Sequence, residues 1–341
     1  MSELPSSADV VIIGAGFAGA ATAWALARRG VTNAIVLERE VQLGRFASGR
    51  SAGLGRQLAE DDHTTALTVR GAALLRELPV WTPTGGVLSF DDEAAAAAYV
   101  ERARRFEIGV ELVGRERVAA RWPELAELRC THALAVPSDG TIDVAALLAT
   151  FTAGIRVEIG CPVLRVEAGP AVVTPRGAIA ARVVVDATGA WAGEVTGGER
   201  MTSFKRHVFV MDADPKPAPT PWLWHLGSGE MYLRTDPGGV LASPCDSALC
   251  APGHQDPDLV GEAHLRRLLD EADSPLAGAP IARRWACQRT FTADRKMRLG
   301  RDPTRTWLVW AAGLGGHGAT ASPAVGELVA GAVIDVLGGA A

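Results

Sequence analysis

The sequence contains few aromatic residues, and its cysteines form no pattern that would build a scaffold. Aromatic residues make up 6% of the 341-residue chain, and only two of them are tyrosines. The five cysteines include no Cys-x-x-Cys pair; they are Cys130, Cys161, Cys245, Cys250 and Cys287. This usage argues against a zinc site or a disulfide framework, and it is typical of a protein in the reducing cytoplasm.

Long runs of one charge are also missing. The formal net charge is −5 and basic residues do not cluster, which argues against nucleic acid as a partner. The N-terminal segment lacks the basic region and cleavage pattern of a signal peptide. Two apolar stretches, 8–27 and 308–337, are long enough to span a bilayer, but glycines interrupt both and Pro323 interrupts the second. We therefore expect a soluble, cytoplasmic protein with no transmembrane segment.

The most informative pattern is a glycine-rich turn between a short apolar run and a helix-forming segment. Gly14, Gly16 and Gly19 follow a β-branched run at 10–13, and Glu38 ends the next apolar run. In a dinucleotide-binding unit, these glycines permit a tight turn, a close approach to the pyrophosphate and the packing of helix on strand. The helix N-terminus favours the pyrophosphate, and the terminal acid accepts a hydrogen bond from a ribose hydroxyl. The pattern predicts dinucleotide binding.

Similar elements recur in the middle of the chain and near its C-terminus. Predicted buried strands at 181–186 and 307–312 each lead into a glycine-containing turn, and Ser322 followed by Pro323 predicts the start of the last helix. The other predicted elements are helices at 91–106, 144–152 and 261–270 and strands at 163–166, 171–174 and 240–243. A nucleotide site assembled from three distant segments favours FAD over NAD.

Chain length and element order predict an α/β fold with two domains. We expect a Rossmann-type FAD-binding domain with an inserted antiparallel-sheet substrate domain. The FAD-binding domain is assigned to residues 1–80, 138–200 and 285–341, and the substrate-binding domain to residues 81–137 and 201–284.

Several blocks of the sequence resemble the D-amino-acid-oxidase-like superfamily of FAD-dependent oxidoreductases, which includes glycine oxidase, sarcosine oxidase and D-arginine dehydrogenase relatives. In chain order they are ADVVIIGAGFAGAATAWALARRG, VLERE, ASGRSAG, PSDGTID, VVVDATGAWAG, WACQRTFTADRKMRLGRDP and AAGLGGHGATASPAVGELVA. The resemblance covers most of the chain. It implies that FAD is the cofactor of an amino acid dehydrogenase or oxidase.

The resemblance also implies which residues hold the cofactor. Gly14, Gly16 and Gly19 would bind the pyrophosphate and Glu38 the ribose, with Arg39 beside the adenine. The further implied residues are Arg50, Ser51, Ala52, Arg56, Val163, Thr188, Gly189, Trp191, Cys287, Gly313, Gly315, Gly316, His317, Gly318 and Thr320.

Two of these residues leave alternatives open. A helix N-terminus at 322–324, preceded by glycines, would stabilise the negative charge of reduced flavin, and His317 either adds to this or is a packed loop residue. Cys287 stands where the sarcosine oxidase branch bonds a cysteine covalently to the flavin and where the dehydrogenases have glycine. It is either a covalent attachment point or a small buried thiol.

The candidate substrate residues follow from the same resemblance. Arg289 would clamp a substrate carboxylate, because a planar guanidinium suits bidentate binding, and Tyr232 would assist. Arg206 and His207 match a basic pair of which one member contacts the carboxylate, and the sequence does not decide which. The acidic segment 60–63 either binds a cationic side chain or, as we expect, forms a solvated loop.

This chain departs from the resemblance in three places. Leu54, Gly55 and Arg56 stand where the dehydrogenases have His and Tyr. Thr320 stands where sarcosine oxidase has a carboxylate-binding lysine. Residues 241–243 contain no lysine to activate oxygen, which favours a dehydrogenase.

The expected reaction is oxidation of the C–N bond alpha to a carboxylate in an amino acid or N-alkyl amino acid. A hydride passes to flavin N5, and the resulting imine hydrolyses. The expected partners are this small molecule and oxygen or another electron acceptor, and the protein would be a monomer or homodimer. The alternatives are a hydroxy acid or specialised biosynthetic amine as substrate, or an FAD subunit of a hetero-oligomeric dehydrogenase.

Overall fold

The computed structural model describes residues 3–214 and 219–339. Within these ranges the chain forms twenty β-strands and seven α-helices. The strands, in chain order, are β1 (Ser7–Ile13), β2 (Ala34–Leu37), β3 (Leu54–Gly55), β4 (Trp81–Thr82), β5 (Gly86–Phe90), β6 (Glu111–Val113), β7 (His132–Val136), β8 (Gly140–Ile142), β9 (Val157–Glu158), β10 (Arg165–Glu167), β11 (Ala171–Thr174), β12 (Gly177–Asp186), β13 (Thr202–Met211), β14 (Trp222–His225), β15 (Met231–Asp236), β16 (Gly239–Ser243), β17 (Ala248–Leu249), β18 (Ile281–Phe291), β19 (Arg298–Arg301) and β20 (Leu308–Ala312). The helices are α1 (Phe17–Arg28), α2 (Asp62–Leu75), α3 (Glu93–Arg105), α4 (Arg115–Arg121), α5 (Val144–Thr152), α6 (Leu259–Glu271) and α7 (Gly318–Gly338).

The first sheet holds the glycine-rich turn. β1 lies between β12 and β2, with both pairings parallel, and β20 pairs in parallel with β12. Val10 and Ile12 pack in the apolar core that includes side chains of α1 and α7, whereas Val11 and Ile13 pack in the core on the opposite face. A parallel sheet buried on both faces explains the continuous apolar run of β1. The predicted α/β fold class is confirmed.

The second sheet is antiparallel apart from the pairing of β5 with β14. Its order is β17-β13-β16-β15-β14-β5-β7-β6, and the long strand β18 also pairs with β13. The predicted domain boundary at residue 285 falls inside β18, and the division of the chain into two domains stays a prediction. A third, small sheet joins β3, β8 and β4.

Aspartate side chains begin four of the helices. Asp61, Asp92, Asp143 and Asp258 each accept a hydrogen bond from a first-turn amide of α2, α3, α5 and α6. The predicted helix at 144–152 and strand at 171–174 are confirmed without change. The helices predicted at 91–106 and 261–270 form as α3 and α6 with small changes at their ends, and the strand predicted at 163–166 lies slightly later, as β10.

The predicted start of the last helix is wrong. Helix α7 begins at Gly318, and Pro323 lies inside it rather than in its first turn. Pro323 has no amide to donate to the carbonyl of Ala319, one turn earlier in the helix. The hydroxyl of Ser322 donates to that carbonyl instead, at 3.4 Å. Burial of the segment from Ala319 onwards outweighs the local preference of Ser-Pro for a helix start.

Helix α7 packs tightly against other helices. A Cβ at Gly326 would clash with the carbonyl of Ala21 on α1, and one at Gly71 on α2 would clash with the carbonyl of Thr320. Glycine at these two positions lets the backbones approach closely. Within the described residues, α7 is also the one helix whose length and composition would suit a membrane span. Of the apolar segment that meets this criterion, 50% is buried inside the protein.

Candidate active site

The glycine-rich turn adopts the geometry that its residues predict. Gly14 has φ of +100°, and a Cβ there would lie 2.5 Å from the carbonyl oxygen of Ala187. A Cβ at Gly19 would clash with the carbonyl of Gly14, so α1 starts directly on the turn. The amide of Ala15 donates to Glu38 Oε2 at 2.9 Å, which places the acid of β2 at the turn.

A cavity of about 300 Å³ lies against this turn. Arg39 is one of its lining residues, with its guanidinium carbon 3.6 Å from the ring centre of Trp191 and 4.9 Å from that of Phe46. The predicted residues that line this cavity are Gly14, Gly16, Glu38, Arg39, Val163, Thr188, Gly189 and Trp191. Phe46 was not singled out from the sequence, because nothing in its local pattern distinguishes it from a core aromatic residue.

Asp186 fixes the turn after β12, which forms part of the wall of this cavity. The sequence did not identify this residue as part of the site. Its Oδ1 accepts from the amide and hydroxyl of Thr188, and its Oδ2 accepts from the amide of Gly193 and the hydroxyl of Thr196. A fully buried carboxylate with four donors fixes the turn that follows β12. The available sequence signal was an acid at the end of a buried strand, directly before Ala-Thr-Gly.

A second cavity of about 140 Å³ adjoins the first, and the two share wall residues including Gly16, Ser48 and Gly189. Its wall contains the predicted residues Ser51, Ala52, Cys287, Gly313, Gly315, Gly316 and Gly318. The two glycine-lined cavities together suit an extended dinucleotide with a ring system at one end, so these residues fit FAD. The first cavity, here named the nucleotide cavity, would hold the adenosine half of FAD. The second cavity, here named the flavin cavity, would hold the ring system of FAD.

The loop at 313–316 passes close to two side chains of β18. Gly315 and Gly316 have φ of +56° and +94°. A Cβ at Gly315 would lie 2.7 Å from the ring of Phe291, and one at Gly316 would lie 3.0 Å from Arg289 Nε. Both positions therefore need glycine for conformation and for space.

Arg50 is not among the residues that line these cavities, and its predicted role in holding the cofactor stays a prediction. Its Nη1 donates to the carbonyls of Ala286 at 2.8 Å and Gln255 at 3.1 Å. Its own carbonyl accepts from the indole of Trp285. Arg50 thus ties its segment to β18 and to the loop before α6, and only the neighbouring Ser51 and Ala52 reach the cavity wall.

Two chambers adjoin the flavin cavity and share wall residues with it. The inner chamber, about 40 Å³, is lined by Ser51, Ala52, Gly53, Leu54, Arg56, Trp224, Tyr232, Arg289, Gly316, His317, Ala319 and Thr320. The outer chamber, about 280 Å³, is lined by Glu60, Asp61, Thr64, Arg206, Trp224, Leu226, Glu230, Arg289, Phe291, Arg295, Met297, Gly313, Leu314, Gly315, Gly316 and His317. Arg289 contributes to both chambers and to the flavin cavity. Within residues 3–214 and 219–339, its guanidinium has no hydrogen-bond acceptor.

Arg56 is the second guanidinium of the inner chamber. It is 3% exposed, donates from Nε to the carbonyl of Leu58 and from Nη2 to Glu60, and lies 4.4 Å above the ring of Trp224. Its Nη1 is buried and has no partner among the described residues. Burial alone would lower the pKa of Arg56, but the carboxylate of Glu60 keeps it above its ordinary value.

Glu60 links Arg56 to His317, and its side chain is 53% exposed. Asp61 and His63 are exposed as well, so the acidic segment is solvated as expected, but from Asp62 onwards it forms the start of α2 rather than a loop. Oε2 of Glu60 lies 2.9 Å from His317 Nε2. The charges of Arg56 and His317 hold the pKa of Glu60 well below its ordinary value. The next two acids act elsewhere, since Asp61 caps α2 and Asp62 pairs with Arg102. His317 precedes the first residue of α7 and lines both chambers, so it is part of the site wall.

The structure separates Arg206 from His207. They are neighbours on β13, so their side chains point to opposite faces of the sheet. Arg206 lines the outer chamber, whereas His207 lines none of the cavities found in the described residues. The ring of His207 packs on Gly261 of α6, and its Nδ1 lies 2.7 Å from Asp246 Oδ2. His207 is therefore corrected from a candidate substrate ligand to a residue that fastens α6 to the sheet.

Trp224 lines both chambers, and Tyr232 packs beside it. Tyr232 is 2% exposed, lines the flavin cavity and the inner chamber, and packs with its ring centre 5.0 Å from that of Trp224. Burial raises the pKa of the Tyr232 hydroxyl. Trp224 donates from Nε1 to Glu230 at 2.9 Å. Sequence reasoning missed Trp224 and Glu230, because only strand pairing brings β14 and the start of β15 to the walls of these chambers.

Two further predicted residues have structural contacts. The hydroxyl of Thr320 donates to the carbonyl of Leu54 at 3.0 Å, which ties α7 to β3 at the inner chamber. Cys287 is buried in the flavin cavity wall, and burial raises the pKa of its thiol.

Known proteins resemble this chain over different lengths. It is 30% identical over 220 residues to mitochondrial sarcosine dehydrogenase from Mus musculus, which covers 56% of this chain and 24% of that protein. It is 29% identical over 333 residues to the tRNA 5-methylaminomethyl-2-thiouridine biosynthesis bifunctional protein MnmC from Maricaulis maris, which covers 93% of this chain and 50% of that protein. The chain thus spans about a quarter to a half of the length of these relatives.

The fold is similar to the crystal structure of L-proline dehydrogenase from P. horikoshii, with a TM-score of 0.86 and 23% identity over 96% of this chain and 93% of that chain. The family model for FAD dependent oxidoreductases (DAO) matches residues 9–332. The matched residues include the glycine-rich turn and the walls of the nucleotide cavity, the flavin cavity and the two chambers. The chain therefore belongs to the DAO family of FAD-dependent oxidoreductases, and its cofactor is FAD.

Proposed function

We propose that this protein oxidises a carbon–nitrogen bond next to a carboxylate, in an amino acid or an N-alkyl amino acid. The guanidinium of Arg289 is the observation that carries the proposal. It faces the flavin cavity and both chambers, and it has no hydrogen-bond acceptor in the described part of the chain. A cationic donor without an acceptor beside a redox cofactor suits an anionic substrate group.

The inner chamber suits the carboxylate. Arg56 and Arg289 both line it, and Nη1 of Arg56 is buried with no partner among the described residues. The chamber is small, about 40 Å³, which favours a group of a few atoms over a side chain. Nη1 of Arg56 and the guanidinium of Arg289 can both donate to one carboxylate. Tyr232, also in this wall, supplies a hydroxyl.

The protein's part in the reaction is binding, orientation and exclusion of water. Arg289 and Arg56 would fix the carboxylate, and this directs the adjacent Cα towards the flavin cavity. Trp224 and Tyr232, which are 7% and 2% exposed, close the wall against solvent. When bound, FAD supplies the hydride acceptor, and the imine product hydrolyses in water. A substrate amine that binds in its neutral form needs no protein base.

The names of similar proteins support the same chemical class. Sarcosine dehydrogenase and dimethylglycine dehydrogenase are both matched, at 30% and 25% identity. Their named substrates carry a methylated amine next to a carboxylate. For this chain we therefore place N-methyl amino acids beside unmodified amino acids as candidate substrates.

Anaerobic reduction of the flavin tests the proposal directly. Pools of D-amino acids, L-amino acids and N-methyl amino acids are added in turn to the flavin-loaded protein, and the loss of flavin absorbance is followed. Bleaching by one pool supports amine oxidation and identifies which of these classes of amino acid the protein oxidises. Bleaching by a hydroxy acid pool alone would replace the proposal, and bleaching by dithionite alone would remove it. Admission of oxygen to the reduced protein then separates an oxidase from a dehydrogenase.

The role of Arg289 is tested with a matched variant on the same strand. Arg284 is exposed and pairs with Glu262, so Arg284→Gln removes a guanidinium from β18 without touching the site. We expect Arg289→Gln to reduce kcat/KM by roughly 10² or more, since it removes a charged hydrogen-bond partner of the substrate. Arg284→Gln should leave kcat/KM within about twofold of the original protein. Equal values for both variants would exclude Arg289 as the clamp.

A further inference from the structure

Arg206 is a cationic group of the outer chamber that the proposed oxidation does not use. It is 6% exposed, and its Nε donates to the carbonyl of Asp246 at 2.7 Å. Its Nη1 is buried and has no partner within the described ranges. A buried N–H without an acceptor is unfavourable, so this atom calls for an acceptor supplied by a ligand.

Strand register fixes where Arg206 lies relative to Arg289. In the pairing of β13 with β18, Arg206 lies opposite Cys287, and Phe204 lies opposite Arg289. Arg206 and Arg289 are therefore diagonal positions on the same face of the sheet. Arg289 reaches the flavin cavity and both chambers, whereas Arg206 lines the outer chamber alone. A carboxylate in the inner chamber leaves Arg206 for another part of the substrate.

The acidic side chains of the outer chamber are already engaged. Glu60 contacts Arg56 and His317, and Asp61 caps α2. Glu230 accepts from the indole of Trp224. The guanidinium groups of this chamber that keep a donor without an acceptor among the described residues are those of Arg206, Arg289 and Arg295, so the chamber favours an anionic group over a cationic one.

We propose that the substrate carries a second carboxylate and that Arg206 binds it in the outer chamber. The substrate is then a dicarboxylic amine, with the carboxylate next to the oxidised carbon held by Arg289 and Arg56. The chamber volume of about 280 Å³ accommodates the part of the molecule that joins the two acids. This inference rests on the proposed function for the orientation of the substrate.

Binding of unreactive acids tests the second site without turnover. Succinate and glutarate are titrated into the flavin-loaded protein beside their monoamides, and affinity is measured by calorimetry and by the flavin absorbance change. We expect each diacid to bind at least roughly tenfold more tightly than its monoamide. Arg206→Gln should bring the two affinities to within about twofold while leaving monoamide binding unchanged, and the Arg284→Gln control should keep the preference.

Three results would overturn the inference. They are equal binding of diacid and monoamide by the original protein, an equal loss of both in Arg206→Gln, or retention of the full preference in that variant. The second result would mean that Arg206 shares the carboxylate of Arg289. If Arg206→Gln does not fold, Arg206→Lys replaces it in the test, because lysine keeps the positive charge. We expect Arg206→Lys to retain most of the preference for diacid over monoamide. Loss of that preference in Arg206→Lys would count against a site that binds through charge.

Oxidation of matched pairs separates the two proposals. Glutamate and glutamine, aspartate and asparagine in both enantiomers, and iminodiacetate with its monoamide are compared by anaerobic flavin reduction. Preferential reduction by the diacids supports both proposals. Reduction by monoacids with no effect of Arg206→Gln keeps the oxidation and removes the second site. Preferential diacid binding with no reduction by any amine keeps the second site and removes the oxidation.

Discussion

The guanidinium of Arg289 rests on the backbone of Gly316, where a Cβ would lie 3.0 Å from Arg289 Nε. This contact couples the glycine-rich loop of the flavin cavity to the proposed substrate clamp. The loop has its left-handed conformation at Gly316, with φ of +94°, so a larger residue is disfavoured by both strain and space.

Gly316→Ala is expected to lower substrate efficiency as well as stability. The backbone strain should cost about 1–2 kcal/mol of unfolding free energy. Displacement of Arg289 should additionally raise KM for the substrate that bleaches the flavin. Gly300→Ala is the matched control, because Gly300 has φ of +95° and a Cβ there would meet nothing within 4 Å in the described structure. Thermal unfolding and steady-state kinetics are measured for both. A similar change in KM for the two variants would show that Gly316 does not position Arg289.

Asp139→Asn is expected to change how stability depends on pH. Burial raises the pKa of Asp139 from 3.8 to about 7. Between pH 4 and pH 7 the unfolded chain loses this proton while the folded chain keeps it, so the unfolding free energy falls as pH rises, by up to about 1.4 kcal/mol per pH unit. Asparagine cannot ionise, so the variant should gain stability relative to the original protein across this window and hold a constant difference above pH 7.

The geometry allows this substitution. Oδ1 of Asp139 accepts from the amide and the side-chain amide of Gln57, and Asn keeps that oxygen. Oδ2 has no partner among the described residues, so its replacement by an amino group breaks no bond. Denaturant unfolding from pH 4 to pH 8 measures the effect, with exposed Asp270→Asn as control. A pH-independent difference between the variant and the original protein would contradict the assignment.

Cys287 is expected to carry no covalent bond to FAD. Its thiol is buried and burial raises its pKa, which disfavours the thiolate needed for attachment. Acid precipitation should therefore release the yellow colour into the supernatant, and mass spectrometry should give the mass of the unmodified chain. A chain heavier by the mass of FAD, with the adduct lost in Cys287→Ala, would establish the covalent alternative.

Gly326→Ala is expected to destabilise the packing of α7 on α1. A Cβ at this position would clash with the carbonyl of Ala21, so the helices must move apart, at a cost of about 1–3 kcal/mol. Gly338→Ala, at the end of the same helix, meets nothing within 4 Å in the described residues and should be neutral or slightly stabilising. Thermal unfolding compares the two. Equal stability of both variants would show that close approach of the helices is not required.

Local patterns predicted the parts of the molecule whose geometry depends on neighbours in sequence. The glycine-rich turn, α5 and β11 were found because their constraints lie within a few residues. The start of α7 was wrong because buried packing before Pro323 outweighed a local signal. The contacts of Arg50 could not be predicted, because its partners, at Gln255 and Ala286, are more than 200 positions away.

The sequence by itself determined the dinucleotide turn and the acid that meets it, because glycine conformation and charge are properties of single residues. Only the tertiary structure decided which residues share the site. Arg206 faces the outer chamber and His207 does not, because α6 covers the His207 face of β13. Arg56 and Arg289 meet around Trp224 because the second sheet delivers β14 and β18 to the loop that precedes α2. Strand pairing over such separations depends on the whole core, so no local pattern encodes it.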